Sequence, residues 1–126
     1  MITDQFIAKY NGIRVGDGQC MALMHQYCGD AFGLTPDVLK AVSALKAFTN
    51  FQWPQHFSKT VNTPAGVPNK GDLIFFSTPP YGHVAIFFSG DINQFTSFDQ
   101  NWPLGTTPHL QRHDYKQVLG WLRYIG

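Results

Sequence analysis

Charge is the scarcest commodity in this chain. Asp, Glu, Lys and Arg make up 13% of it, against a usual share of about 25%. Nine Lys and Arg stand against eight Asp and Glu, a net charge of +1. With no basic excess to neutralise phosphates, nucleic acid is not an expected partner. Cysteine is nearly absent too. Cys20 and Cys28 are the only two, which excludes a disulfide-dense scaffold and a four-cysteine zinc site. No run approaches the roughly 20 apolar residues that cross a bilayer, so no membrane association is expected. Met1-Ile2-Thr3-Asp4-Gln5 lacks a basic segment followed by an apolar one, so no signal peptide is read. Internal repeats and low-complexity runs are missing as well.

What is present is one domain's worth of apolar, ring-rich sequence. The chain has 126 residues, 44% hydrophobic and 15% aromatic, enough to bury a core without staples. The first third reads helical. Thr3 or Asp4 caps a short helix carrying Phe6, Ile7 and Tyr10, stopped by Asn11-Gly12. From Gln19 to Phe32 apolar residues cover nearly every side, predicting a central buried helix. Pro36 and Asp37 open another, with Val38, Leu39, Val42, Leu45 and Phe48, fading by Asn50. Residues 53–68 are rich in Pro, Asn, Thr and Gly and read as irregular. Strands are predicted at Leu73–Phe76, His83–Phe88, Gln94–Trp102 and Leu119–Ile125, the second apolar on both faces and therefore inside a sheet. Helices first and strands afterwards predict an α+β domain with an antiparallel sheet.

Cys20 follows Gly16-Asp17-Gly18-Gln19 and opens the buried helix. There it meets the positive end of the helix macrodipole, which favours the nucleophilic thiolate. Cys28, two turns inside, reads as a packing residue. Eight residues of helix hold the two Cα atoms about 12 Å apart, beyond the roughly 7 Å reach of a disulfide. A nucleophilic Cys needs a base. Of the five histidines, His83 stands out: it follows Tyr81-Gly82, begins the most apolar strand and is followed on its face by the small Ala85. His25, His56, His109 and His113 are expected to be surface or structural. A third group must orient the imidazole. If the loop after His83–Phe88 is odd and centred on Asp91, His83 faces Asp99, with Asn101 two residues on along the same face. An even loop would put His83 and Asp99 on opposite faces. Gln19 and the Cys20 backbone N–H are placed to hold an oxyanion.

These residues resemble the CHAP domain, the cysteine- and histidine-dependent amidohydrolase/peptidase. Gly18-Gln19-Cys20-Met21-Ala22-Leu23 is similar to its Gln-Cys helix opening. Asn69-Lys70-Gly71-Asp72-Leu73-Ile74-Phe75 is similar to its Pro-Gly-Asp strand opening, with Asn-Lys replacing the usual small residue and Pro. Tyr81-Gly82-His83-Val84-Ala85-Ile86 resembles its Gly-His-Val-Ala strand. Ser97-Phe98-Asp99-Gln100-Asn101-Trp102 resembles the Glu-Gln-Asn-Trp run of phage lysins, with Asp for Glu. Gly120-Trp121-Leu122-Arg123 resembles the closing Gly-Phe-Ile-Arg strand. The resemblance spans residues 5–126, and Gln19-Cys20 favours CHAP over the NlpC-type peptidases, which usually carry Asp-Cys-Ser.

The resemblance implies a papain-like fold, with helices packed on the sheet, and a single catalytic domain over 1–126. It implies a peptidoglycan hydrolase of endolysin or tail-associated lysin type, acting as N-acetylmuramoyl-L-alanine amidase or as peptide endopeptidase. Carried over, Cys20 is the nucleophile, His83 the general base and Asp99 the acidic orienting residue. Asn101 matches a second polar position, and Gln19 the oxyanion donor. No cofactor is implied. Calcium, held by some phage lysins in the loop before the Cys, is not carried over, because Asp17 is the only acidic residue in 11–17 and a calcium site needs six or more oxygens. Trp102, Tyr81, Trp53 and Trp121 are candidates for a substrate groove, their alternative being core or rim packing. A monomer is expected, made in the host cytoplasm and reaching the cell wall through holin lesions. Two other classes stay open: a non-catalytic wall-binding module, and a transferase or deamidase on the papain plan.

Overall fold

A computed structural model describes residues 2–126. Three helices precede six strands: α1 (Ile2–Tyr10), α2 (Cys20–Phe32), α3 (Ala44–Thr49), β1 (Phe57–Val61), β2 (Leu73–Phe76), β3 (His83–Gly90), β4 (Gln94–Asp99), β5 (His109–Asp114) and β6 (Val118–Tyr124). The strands form one antiparallel sheet in the order β1-β6-β2-β3-β4-β5. The α+β class and the antiparallel sheet are as expected.

Both faces of the sheet are covered. On one, α2 lays Leu23, Met24, Tyr27 and Cys28 against Val84, Ile86 and Phe98. Spacing of i, i+1, i+4 and i+5 makes this a single stripe on the helix rather than an all-round apolar surface. Thr3 of α1 meets the Tyr27 hydroxyl at 2.8 Å, which satisfies two buried oxygens at the α1–α2 contact. On the opposite face Ile74, Phe76, Ala85, Phe87, Phe95 and Trp121 form a second cluster, closed by Val67 and Trp102 from loops. β3, apolar on both sides, lies inside the sheet as expected, because only an interior strand buries both faces.

Two sequence expectations are corrected, and one strand, β5, was not among those expected. The helix from Pro36 does not form. Residues 36–39 make a turn, Leu39 has φ 52°, and the helix starts after Ser43, whose side chain accepts from the Lys46 N–H at 3.2 Å. That N-cap ends one segment and begins another. Val38 and Leu39 still reach the core from the turn, while Val42 is left exposed. Residues 57–61, within the stretch read as irregular, are the edge strand β1. Only Phe57 of it is buried, so no alternation marks it, and pairing with β6 makes it a strand. β5 is the other edge. Its inward residues are His109, Gln111 and His113, polar where a strand pattern looks for apolar.

The β3–β4 register also differs, and the difference matters for His83. The turn between the paired residues Gly90 and Phe95 has an even count, 91–94, which by itself would put His83 and Asp99 on opposite faces. The register then shifts between Phe87 and Ser89, leaving Phe88 as an extra residue in β3. That bulge restores the parity. Beyond it Phe87 pairs with Ser97 and Ile86 with Phe98, so the next step sets Asp99 beside Ala85. His83 and Asp99 share a face as diagonal neighbours, not as the directly opposed pair the sequence suggested.

Candidate active site

The loop before α2 is fastened from a distance. Gln100, fully buried just past β4, accepts from the Val15 N–H at 2.8 Å and donates to the Val15 and Gln19 carbonyls at 3.0 and 2.8 Å. Asp17 closes the tip by accepting from the Gln19 N–H at 3.0 Å. One amide side chain thereby ties the approach to Cys20 onto the end of β4. Gln100 was not among the expected site residues, and nothing local in the sequence separates it from a solvated Gln. Gln19 is the N-cap residue of α2 in extended conformation, without a side-chain cap bond. Cys20 is the first helical residue, half-buried and free.

His83 reaches the same place from the sheet. Gly82, at φ +75°, brings the chain in so tightly that an added Cβ would sit 2.8 Å from both the Leu45 N and the Phe76 O, which only glycine allows. The His83 ring is 5% exposed as a residue. Its Nε2 lies 2.8 Å from Asp99 Oδ2, which leaves Nδ1 for the thiol of Cys20. Trp102 stands edge-on to the ring, centroids 4.8 Å apart at 89°. Asp99 is fully buried, and Ser97 donates its hydroxyl to Oδ1. Burial disfavours a charged imidazole, but the Asp99 hydrogen bond and the neighbouring Cys20 outweigh it, and the His83 pKa is pushed up to about 9. Asp99 is held below the usual carboxylate range. Its burial works the other way, and the hydrogen bonds from His113 and His83 overcome it.

Asn101, at φ 70°, does not bond His83. Its Nδ2 donates to Gln19 Oε1 at 3.3 Å, and its Oδ1 accepts from the Gly105 N–H at 2.6 Å. With its Oε1 engaged by Asn101, the Gln19 side chain lines the cleft. That cleft has a volume of about 780 Å³ and runs over Cys20, His83 and Gln19 to Tyr81, Trp102 and Leu104. No Lys or Arg is among its lining residues. Tyr81, 69% exposed, forms part of the rim.

Two expectations about rings and one about histidine change. Trp53 does not line this cleft. It borders a separate groove with Lys40 and Lys46, and meets the first only through Ala41 and Val42. Trp121 is buried in the second core cluster. His113 is neither a surface residue nor a remote one: its Nε2 is 3.0 Å from the same Asp99 Oδ2 that His83 uses. Cys28 packs as expected, with its thiol on Met24 Sδ at 3.8 Å and its pKa pushed up to about 12 by burial. Among the described residues, no three His, Cys, Asp or Glu side chains are grouped to hold a metal ion.

The ion pair gives stability a pH dependence. A raised His83 pKa stabilises the fold fully below its unfolded value of 6.5, and that contribution is lost as pH climbs through about 9. A depressed Asp99 pKa stabilises the fold above its unfolded value of 3.8, and that part is lost on acidification. The plateau therefore lies between about pH 4 and 6.5. At about 1.4 kcal/mol per unit, the alkaline loss is on the order of 3 kcal/mol. Thermal melts should fall by several degrees between pH 6.5 and 9, and His83→Gln should flatten that slope.

No family model matches the chain, and no curated protein matches it in sequence. Solved structures do match in fold. The wild-type endolysin LysIME-EF1 superposes with a TM-score of 0.73 at 24% identity, over 96% of this chain and 63% of that one. Ly7917 gives a TM-score of 0.73 at 22% identity, over 98% and 60%. Ly7917 with the hydrolyzing product of MDP gives 0.73 at 23%, over 99% and 62%. The chain thus has the α+β fold of these solved structures, and it spans about three fifths of their length.

Proposed function

We propose that this chain hydrolyses an amide bond of bacterial peptidoglycan by a cysteine mechanism. The observation that carries the reading is that Cys20 and His83 line one open cleft, with the buried Asp99 carboxylate bonded to the His83 ring behind it. A thiol at a helix start, an imidazole beside it and a buried carboxylate behind that imidazole are the parts of acyl transfer. Fold similarity to an endolysin, and to Ly7917 solved with a hydrolysis product of MDP, supports a cell-wall substrate. A cleft with no Lys or Arg suits a peptide-bearing glycan better than a polyanion.

In this scheme the Cys20 thiolate attacks the amide carbonyl carbon. A C–S bond forms, and the electron pair moves to oxygen. The Cys20 N–H and the Gln19 Nε2 donors hold that oxyanion. The C–N bond breaks as His83 passes its proton to the leaving amine, giving a thioester. His83 then takes a proton from water, the hydroxide adds to the thioester carbon, and the C–S bond breaks to return the thiolate and release a carboxylic acid. Asp99 keeps the ring oriented through both halves.

Mass spectrometry of digested peptidoglycan tests the chemistry directly. Every cleavage should create one new amine and one new carboxylate, with the mass of one water added. The pair of termini names the bond, separating an amidase from a stem or cross-bridge endopeptidase. New reducing sugar ends in place of new amines would overturn the reading.

A further inference from the structure

Asp99 Oδ2 has two imidazole partners, and the reaction outlined above uses one. His113 comes from β5, the edge strand, and its Nε2 lies 3.0 Å from the Asp99 carboxylate. Its side chain is 7% exposed. Phe76, Phe95 and Trp102 surround its ring at centroid distances of 4.9, 5.4 and 4.9 Å. A polar ring held in an aromatic enclosure has one strong acceptor within reach, and that acceptor is Asp99. A carboxylate oxygen has two lone pairs, so Oδ2 accepts from both rings while Ser97 occupies Oδ1.

We propose that His113 is a positioning residue of this site: its Nε2–H holds the Asp99 carboxylate in place and ionised through the half of the cycle in which His83 is neutral. The inference rests on the reading of Cys20 and His83 as nucleophile and base. The physical need follows from burial. A fully buried carboxylate must be compensated by charge or hydrogen bonds. While His83 is protonated it supplies both. After His83 has given its Nδ1 proton to the leaving amine, the compensating charge is gone, and the hydrogen bonds from His83 Nε2, His113 and Ser97 remain. His113 is also the first of the favourable contributions that hold Asp99 below the carboxylate range.

No other titratable group does this work. Among the described residues, His83 from β3 and His113 are the only titratable side chains bonded to Asp99. Cys20 from α2 acts on it through His83. His109 is the register partner of Asp99 on β5, but its ring nitrogens are taken by the Thr107 carbonyl and Gln111 Oε1, at 2.9 and 2.7 Å. β2 and the loop after β4 contribute Phe76 and Trp102, which carry no charge.

Two substitutions separate positioning from packing. His113→Phe fits the aromatic enclosure and removes the donor. His113→Gln keeps an N–H donor on a chain of similar reach. On soluble peptidoglycan fragments, His113→Phe should lower kcat by about tenfold or more with KM unchanged, because the loss is confined to the transition state. His113→Gln should recover most of that rate. The rate of Cys20 alkylation by iodoacetamide against pH gives a readout that needs no substrate, with Cys20→Ala as the blank. The acid limb of that profile should move up by about half a unit or more in His113→Phe, since an Asp99 lacking one donor takes up a proton more readily, and should return in His113→Gln. A wild-type kcat and a wild-type alkylation profile in His113→Phe would overturn the proposal. So would equal loss in both variants together with a lowered melting temperature, the mark of packing alone. Absence of peptidoglycan cleavage by the wild-type chain would sink the proposed function, while the alkylation profile would still decide the role of His113.

Discussion

Replacing Cys20 by Ala should abolish peptidoglycan hydrolysis, at least a thousandfold by the usual scale for a lost nucleophile, roughly 10³ or more. The measurement is clearing of a cell-wall suspension by purified protein, wild type against variant. His83→Ala should fall to the same floor. Cys20, His83→Ala in combination should fall no further, because groups that act as one unit do not add. Folding should survive. Cys20 is half-buried at the first position of α2, where alanine is tolerated. His83→Ala costs more, since it leaves a void beside Trp102 and removes one of three donors to Asp99. Its melting temperature is therefore the control that matters. Undiminished clearing by a folded Cys20→Ala protein would rule out the cysteine mechanism. A wild-type chain that binds wall without clearing it, and whose Cys20 resists iodoacetamide at neutral pH, would point to the wall-binding alternative.

The largest effect on the fold itself is expected from Gly120→Ala. Gly120 lies in β6, opposite Val61 of β1 and Phe75 of β2. A Cβ built there would stand 2.1 Å from the Thr60 carbonyl, 2.6 Å from the Phe48 ring and 3.0 Å from the Val61 Cα. Two of those atoms are backbone of a paired strand, so no side-chain rotation relieves the overlap. β1 must move off β6, or α3 must release Phe48, which is buried in the main core. Overpacking of a closed core typically costs about 1–3 kcal/mol, and a contact this close in the sheet should reach or exceed the upper end. Against a marginal total of about 5–15 kcal/mol, that is a loss of ten degrees or more in melting temperature for a chain of this size. A Gly120→Ala protein melting within two degrees of wild type would show that β1 is not bound to β6 as described.

How much of the site was legible depended on whether a residue announces itself locally. Cys20 did, through the glycine-rich approach and the apolar helix that follows it. His83 did, through Tyr81-Gly82 ahead of it and an apolar strand behind it. His113 did not, because β5 alternates His, Gln and His, and a polar edge strand carries no hydrophobic period. Gln100 did not either. Its three bonds run to residues more than 80 positions away, and no local pattern records a partner that distant. Trp53 looked like a groove ring by its type, yet the break at Ser43 and the turn at 36–39 place it on another surface.

The fold class, the central helix, the interior strand and the candidacy of Cys20 and His83 were determined by the sequence alone, because each depends on spacing within a few residues. Which carboxylate meets His83 was decided only by tertiary structure. The even turn at 91–94 would have separated His83 from Asp99, and the extra residue Phe88 reversed that parity. A bulge of this kind leaves no mark in hydrophobic alternation when the strand is apolar on both faces, so pairing with β4 had to set it. For the same reason the second histidine on Asp99 emerges only when β5 closes the sheet: its contact depends on register across two strands, and register is a property of the assembled sheet.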